Sequence, residues 1–530
     1  MNLTADIIAR LLDENCYPHH VENIRLLETH ISWVILSGPY AYKVKKPLDL
    51  GFLDFSTLEK RHYYCLEELR LNRRLAPQLY VDVVSINGSP DAPRFEGLGE
   101  ILDYAVRMRQ FPQSAMLAEV LARNELTAGQ LDRLVDDIAR FHHDIIRSTA
   151  DQPYGDPEHI FSPVMENFTQ IRHWLSEHPD QAALDELQSW TQRTFDRLRP
   201  VFDARKQQGF IRECHGDMHL GNMVLLDGRI TLFDGIEFNP DLYRIDVMND
   251  IAFLVMDLQH RGQSDGANRV LNRYLEITGD YAGLVVLRFY RVYRAMVRAK
   301  VACIRAGQAS LPTAQRQATV DEYHGYLQQA LDYIRRDRPA LLINHGLSGS
   351  GKTRISQRLL EHLGAIRLRS DIERKRMFNI PAHQSSQSGI QSGIYTAEAT
   401  SRTYQHLHTL SRDLLENGHI VIVDATFLDR THRASFRDLA NSLGIPYLIL
   451  HYEAREEILR ERIRQRMQAA DDASEADLRI LESQLARYEP LSDPERRQCI
   501  SINTEDPVDI QALIKQIRLR LDHCAAAELS

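Results

Sequence analysis

The 530-residue chain is 43% hydrophobic and 26% charged, the composition of a folded globular protein long enough for about two to four cores. Its net charge of −9 lies in the first part, because residues 338–530 hold 26 basic and 26 acidic side chains, and that balance argues against a broad nucleic-acid surface. No apolar run reaches membrane-spanning length, Met1-Asn2-Leu3-Thr4-Ala5-Asp6 lacks the basic start of a signal peptide, and the six scattered cysteines suggest neither disulfides nor zinc; a cytoplasmic protein is expected.

Residues 1–18 carry Ile7, Ile8, Leu11 and Leu12 at helical spacing and predict a helix. Apolar runs at 21–27, 31–37 and 40–46, separated by turn formers such as Gly38-Pro39, predict an antiparallel sheet. In the last run the strand period puts Lys43 and Lys45 on one face and Lys46 on the other. Residues 58–75 predict a helix with Glu67 and Glu68 near its middle, and 103–108 a further strand. Taken singly, these charges mean no more than a solvated surface.

They acquire a chemistry beside His215-Gly216-Asp217-Met218-His219-Leu220-Gly221-Asn222 and the strand Ile230-Thr231-Leu232-Phe233-Asp234-Gly235. A loop aspartate, an asparagine five residues on and a second aspartate after a short hairpin are parts needed for phosphoryl transfer: the first accepts or orients a hydroxyl, the others hold a metal. Residues 31–258 resemble the aminoglycoside phosphotransferase and choline kinase group, small-molecule kinases with the protein-kinase fold, whose signature His-Gly-Asp-(Leu/Met)-His-x-Gly-Asn is matched from His215 to Asn222. The resemblance implies Asp217 as catalytic base, Asn222 and Asp234 as Mg²⁺ ligands, and either Lys43 or Lys45 gripping the phosphates of ATP with Glu68 as ion-pair partner.

His215 and His219 are read as supports of the loop, and Arg244, Asp246 and Asp250 as charges anchoring the helix that begins there. His142 and His143 are read as packing or surface, since adjacent helical residues do not point at one ion. The antibiotic-modifying members of the family carry acidic residues for cationic sugars. Residues 267–306 carry Arg288, Arg291, Arg294, Arg298 and Arg305 instead, so an anionic acceptor is expected as much as an aminosugar, beside the plain reading of a solvated basic face.

Residues 306–312 break the helical pattern, 320–336 resume it, and the domain boundary is set at 337. Gly346-Leu347-Ser348-Gly349-Ser350-Gly351-Lys352-Thr353 then falls between an apolar strand at 340–344 and a helix at 354–363, the context of a P-loop. Gly346, Gly349, Ser350 and Gly351 let backbone N–H groups turn onto a phosphate at the positive end of a helix. Lys352 would bridge the β- and γ-phosphates and the Thr353 hydroxyl would hold Mg²⁺.

Further apolar strands at 365–369, 420–424, 446–450 and 499–502 alternate with helices and predict a parallel sheet covered on both faces, with ligands at the strands' carboxyl ends. Asp371 and Asp424 lie there, as acceptor-binding base and metal-shell carboxylate; helix capping is the other reading of Asp371. Residues 339–507 resemble the AAA-type P-loop small kinases related to the polynucleotide kinase 5′-hydroxyl domain and to gluconate and chloramphenicol kinases. That resemblance implies a lid helix at 453–467, where Arg462 and Arg466, one turn apart, face the transferring group, followed by a mobile turn at 469–474; Arg460 and Arg464 read as surface.

The expected fold is therefore an α+β protein-kinase-like bilobal domain, 1–337, followed by an α/β P-loop domain, 338–530, with a parallel sheet covered by helices. The expected function is bifunctional transfer from Mg-ATP to hydroxyls of small molecules, with no membrane partner. Two alternatives stand beside it: a regulatory protein in which one nucleotide site switches the other, and a nucleic-acid 5′-hydroxyl kinase.

Overall fold

The computed structural model describes residues 4–527 apart from 22, 52, 175–179, 308–311, 336–337, 383, 385–392 and 470–476. Most of the expected turn at 469–474, most of the break at 306–312 and the boundary residue 337 thus lie outside the described residues, while residue 469 ends a helix rather than opening a turn. The chain gathers into two compact units, Met1–His260 with Phe289–Leu331 and Arg261–Arg288 with Asp332–Ser530.

In the first unit the initial helix is shorter than its apolar spacing predicts, Ala5–Arg10. Asp13 accepts from the Asn15 N–H at 2.8 Å, and this local turn competes with helix continuation. Ile7, Ile8 and Leu11 face inward while Leu12 is 36% exposed.

A six-stranded antiparallel sheet follows: β1 (Arg25–Glu28), β2 (Ser32–Ser37), β3 (Tyr40–Lys45), β4 (Tyr80–Ser89), β5 (Ala92–Phe95) and β6 (Ile101–Arg109), in the order β1-β2-β3-β6-β4-β5. Tyr42 and Val44 of β3 pack with Trp33, Ile35 and Ile86 on one face. Strand alternation then obliges Lys43 and Lys45 to face the other side. That side receives helix Leu58–Asn72, started by Thr57, whose hydroxyl accepts from the Lys60 N–H at 3.3 Å. Arg61 clamps this helix to β6: its Nε lies 3.1 and 2.8 Å from the two carboxylate oxygens of Asp103, with both side chains fully buried.

Below the sheet, β7 (Ile211–Glu213), the hairpin β8 (Met223–Leu226) and β9 (Arg229–Leu232), and β10 (Arg244–Asp246), which pairs with β7, are set among helices Ala128–Asp144, Gln181–Gln207 and Val247–His260.

The second unit has a fully parallel sheet of β11 (Ala340–His345), β12 (Ile366–Arg369), β13 (Ile420–Asp424), β14 (Tyr447–Glu453) and β15 (Cys499–Asn503), in the order β12-β13-β11-β14-β15. Every residue of the central strand β11 is buried, as a sheet covered on both faces requires. Helix Lys352–Leu363 starts directly from the glycine-rich loop, and helix Ser264–Thr278 packs against it. No described helix is long and apolar enough to cross a membrane.

The Arg61–Asp103 pair makes a direct prediction. Asp103→Ala leaves a buried guanidinium charge without its partner and is expected to cost about 3–5 kcal/mol. Urea unfolding followed by hydrogen exchange should show the first unit opening at lower denaturant while the second keeps its midpoint.

Candidate active sites

In the first unit β3 delivers two lysines to one carboxylate. Lys43 Nζ lies 2.9 Å from Glu68 Oε1 and 2.5 Å from Asp234 Oδ1; Lys45 Nζ lies 2.7 Å from Glu68 Oε2 and also bonds Glu237. Burial works against the Glu68 charge, but the two lysines outweigh it and hold its carboxyl down at about 2. The lysines differ in outlook: Lys45 is 1% exposed and sealed among acids, whereas Lys43 leads to Asp234, whose side chain is 43% exposed. Glu237 is a member that sequence reading missed. Its only signal was an acid three residues after Asp234.

Asp234 itself is left-handed, φ +59°, an uncommon state for a residue with a side chain. It is held there by its N–H, which donates to Tyr80 Oη at 3.0 Å, and by the Gly235 N–H, which donates to Asn72 Oδ1 at 2.7 Å. Asn72 is on the same helix as Glu68, so one helix fixes both the ion pair and the second aspartate.

The loop bearing Asp217 hangs from the helix behind it. Asp250, expected to anchor the helix, instead accepts from the N–H groups of His215 and Gly216, each at 3.0 Å, and Asp257 accepts from the Leu220 N–H at 2.8 Å. Gly216 has φ +82°, and a Cβ there would stand 2.7 Å from the Leu242 carbonyl oxygen. His215 supports the loop: its Nε2 is 3.0 Å from the Phe233 carbonyl and its Nδ1 accepts from the Asp217 N–H.

Asp217 Oδ2 takes the Asn222 amide at 2.7 Å and lies 3.3 Å from His219 Nε2. His219 Nδ1 accepts from the Gly221 N–H at 3.0 Å, and its Nε2 faces both Asp217 and Arg298 Nη1, the latter at 3.4 Å. Burial raises the Asp217 pKa, but His219, Arg298 and His215 overcome it and hold the carboxyl well below the ordinary range.

His142 sits 3.2 Å from Asp250 and, with Cys214, forms the one cluster of potential metal donors among the described residues; both Asp250 oxygens already serve the loop. The arginines of helix Leu284–Ala306 are not a simple solvated face: Arg294 is buried with Nε 2.7 Å from Asn249 Oδ1, and Arg298 reaches Tyr326 Oη at 3.3 Å.

In the second unit a cavity of about 760 Å³ opens over the carboxyl ends of the strands. Gly349, Gly351, Lys352 and Thr353 line it together with Asp371 and Asp424, and Arg462 and Arg466 approach from helix Glu456–Ala469. Gly346 closes the loop against β14, where a Cβ would meet the Tyr452 carbonyl oxygen at 2.7 Å. Ser350 Oγ is buried with no hydrogen-bond partner among the described residues, and Ser350 and Gly346 do not line the cavity.

Lys352 Nζ donates to the carbonyls of Gly346 and Leu347 at 2.9 and 2.7 Å. Burial, aided by Arg466, lowers its pKa to about 8 against the pull of Asp424 and Asp371. Asp424 accepts from Asn344 Nδ2 at 2.9 Å. Asp371 lies inside the first turn of helix Ser370–Met377, whose N-cap is Arg369, so it is not the cap. Arg462 is braced by Thr504, donating to its Oγ1 at 3.0 Å and its carbonyl at 2.5 Å. Arg460 pairs with Glu456 and Glu482, and Arg464 with Glu461.

Residues 59–290 match the model of the phosphotransferase enzyme family and residues 341–491 that of the AAA domain. The chain is a phosphotransferase of the ATP-dependent kinase class. This kinase is similar to a Mycobacterium tuberculosis protein described as uncharacterized, 29% identical over 465 residues that cover 87% of this chain and 91% of the relative. Among solved structures it is similar to the Plasmodium vivax ethanolamine kinase (10% identity, 59% of this chain and 82% of that one, TM-score 0.37). A gluconokinase from Sinorhizobium meliloti is likewise similar (18% identity, 36% of this chain and 95% of that one, TM-score 0.25).

Lys352 carries a pH dependence whose sign is set by its depressed pKa. Only the protonated amine pairs with phosphate, so a nucleotide recovers a proton that the free kinase loses above about pH 8. From pH 7 to pH 9 the affinity of the P-loop site should fall by about tenfold. Calorimetric titration with ADP in a Lys43→Ala background reads this, and an equally steep fall in the added Lys352→Ala variant would remove the assignment.

Proposed function

We propose that the kinase is bifunctional: each of two catalytic segments, 1–337 and 338–530, moves the γ-phosphoryl of Mg-ATP to a hydroxyl of a small molecule. The observation that carries this reading is that each unit has its own lysine and its own carboxylates: Lys43 paired with Glu68 and Asp234, with Asp217 on a loop of the same unit, and Lys352 lining one cavity with Asp371 and Asp424. One complete set would suffice for one enzyme. Two sets ask for two.

In the first unit Lys43, rather than the sealed Lys45, is the phosphate lysine, and Glu68 orients it. The cluster of Lys43, Lys45, Glu68, Glu237 and Asp234 has one acid more than it has lysines, and the excess lies toward the exposed Asp234. The Asn222 amide nitrogen is spent on Asp217, which leaves its oxygen to ligate. Asn222 and Asp234, and in the second unit Thr353 and Asp424, are all-oxygen donor sets of the kind that suits Mg²⁺. When bound, the ion neutralises charge on the β- and γ-phosphoryl oxygens.

The chain's own groups then do the rest. Asp217, kept ionised by its neighbours, accepts or orients the acceptor's hydroxyl proton, and Asp371 does the same over the P-loop. Arg462 and Arg466 bring positive charge to the transferring group, where it is worth most in the transition state. The neutral charge balance of 338–530 supports a small acceptor over a nucleic acid, and a cytoplasmic setting supplies ATP.

Transfer of labelled γ-phosphate into a bacterial metabolite extract tests the reading. Asp217→Asn and Asp371→Asn should each lower a different set of labelled products by about 10²–10⁴-fold. Products that survive both substitutions would show that the bases lie elsewhere; a single set lost in one variant alone would leave one kinase rather than two.

A further inference from the structure

Helix Ser264–Thr278 lies within the stretch that matches the phosphotransferase family, yet it is built into the P-loop unit. Its polar contacts fall on both flanks of the second transfer site. Asn272 Nδ2 donates to the Ala365 carbonyl at 2.9 Å while its Oδ1 accepts from the Arg367 N–H at 2.8 Å, so one side-chain amide pairs with edge strand β12 as a neighbouring strand would. One turn later Glu276 Oε1 accepts from Arg367 Nη2 and Nε at 2.7 and 3.0 Å. The same guanidinium donates from Nη1 to the Thr353 carbonyl at 3.2 Å. Asn272, Glu276 and Arg367 are all buried.

The end of the helix reaches the other flank. Carbonyls of Glu276 and Ile277 accept from Arg376 at 2.8 and 3.4 Å, and Arg376 stands on the short helix that carries Asp371. A cation at the carbonyl end of a helix is electrostatically favoured there. Gly279, at φ +73°, makes room for it: a Cβ at that position would lie 2.5 Å from Arg376 Nη1.

We propose that Asn272, Glu276 and Gly279 are positioning residues for the second transfer site, setting Thr353 through Arg367 on one side and Asp371 through β12 and Arg376 on the other. The proposal rests on reading Thr353 and Asp371 as metal ligand and base. It makes the P-loop kinase dependent on a helix that precedes its own sequence.

The test uses the full-length chain with Asn272→Ala, Glu276→Gln or Gly279→Ala, γ-labelled ATP and a metabolite extract, with hydrogen–deuterium exchange on the same proteins. Asp371-dependent product formation should lose about ten- to a hundredfold in maximal rate, the cost of a small misplacement, while KM for ATP moves by less than about twofold. Asp217-dependent transfer should keep its rate, and amides of 353 and 366–371 should exchange faster. The exchanged pair Glu276→Arg with Arg367→Glu should recover part of the loss. An unchanged maximal rate overturns the proposal; so does parallel loss of both transfers with a lowered unfolding midpoint, which marks a merely structural role. If the unaltered protein makes no Asp371-dependent product, the two-kinase reading falls and takes this proposal with it; if it makes that product and the variants keep its rate, the proposal alone falls.

Discussion

Glu68 can stay ionised in the core only because two lysines are brought to it, and much of the first unit follows from that pairing. An isolated buried charge costs several kcal/mol, so the glutamate helix and strand β3 must meet in one register. Asn72, one turn beyond Glu68, then pins Gly235 and brings Asp234 into its left-handed bend. Sheet, helix and second aspartate are therefore one mechanical piece. The Arg61–Asp103 clamp ties the same helix to β6 from its other end.

The loop that bears Asp217 solves a different problem, that of an irregular backbone at depth. Its N–H groups have no strand to pair with, so acids of helix Val247–His260 accept from them: Asp250 for His215 and Gly216, and Asp257 for Leu220. With the backbone satisfied in this way, the Asp217 carboxylate is not spent on it; one of its oxygens is steadied by Asn222 and His219. The P-loop unit reaches the same end by other means. There the glycines permit the turn, β14 and helix Glu456–Ala469 crowd it from outside, and Lys352 rests on the loop's own carbonyls.

Much of this was legible from residue order, because local chemistry has local signatures. Period-two alternation put Lys43 and Lys45 on one face, the glycine spacing before Lys352 marked a phosphate loop, and the strands of the parallel sheet showed as apolar runs between helices. Asp217, Asn222, Asp234 and Asp371 stood out for the same reason: each belongs to a short motif.

What residue order could not decide were partnerships across long separations. Two lysines in one strand are equivalent by period, and only the positions of Glu237 and Asp234, nearly two hundred residues away, make one internal and the other outward. Asp250 looked like a helix anchor because its true partners are backbone N–H groups, which no sequence displays. Helix Ser264–Thr278 reads as part of the first segment by position, but Asn272 and Glu276 find their partners at Ala365 and Arg367. Motif and periodicity are properties of neighbours in the chain, whereas the pairing of buried charges and unsatisfied backbone groups is a property of the folded interior.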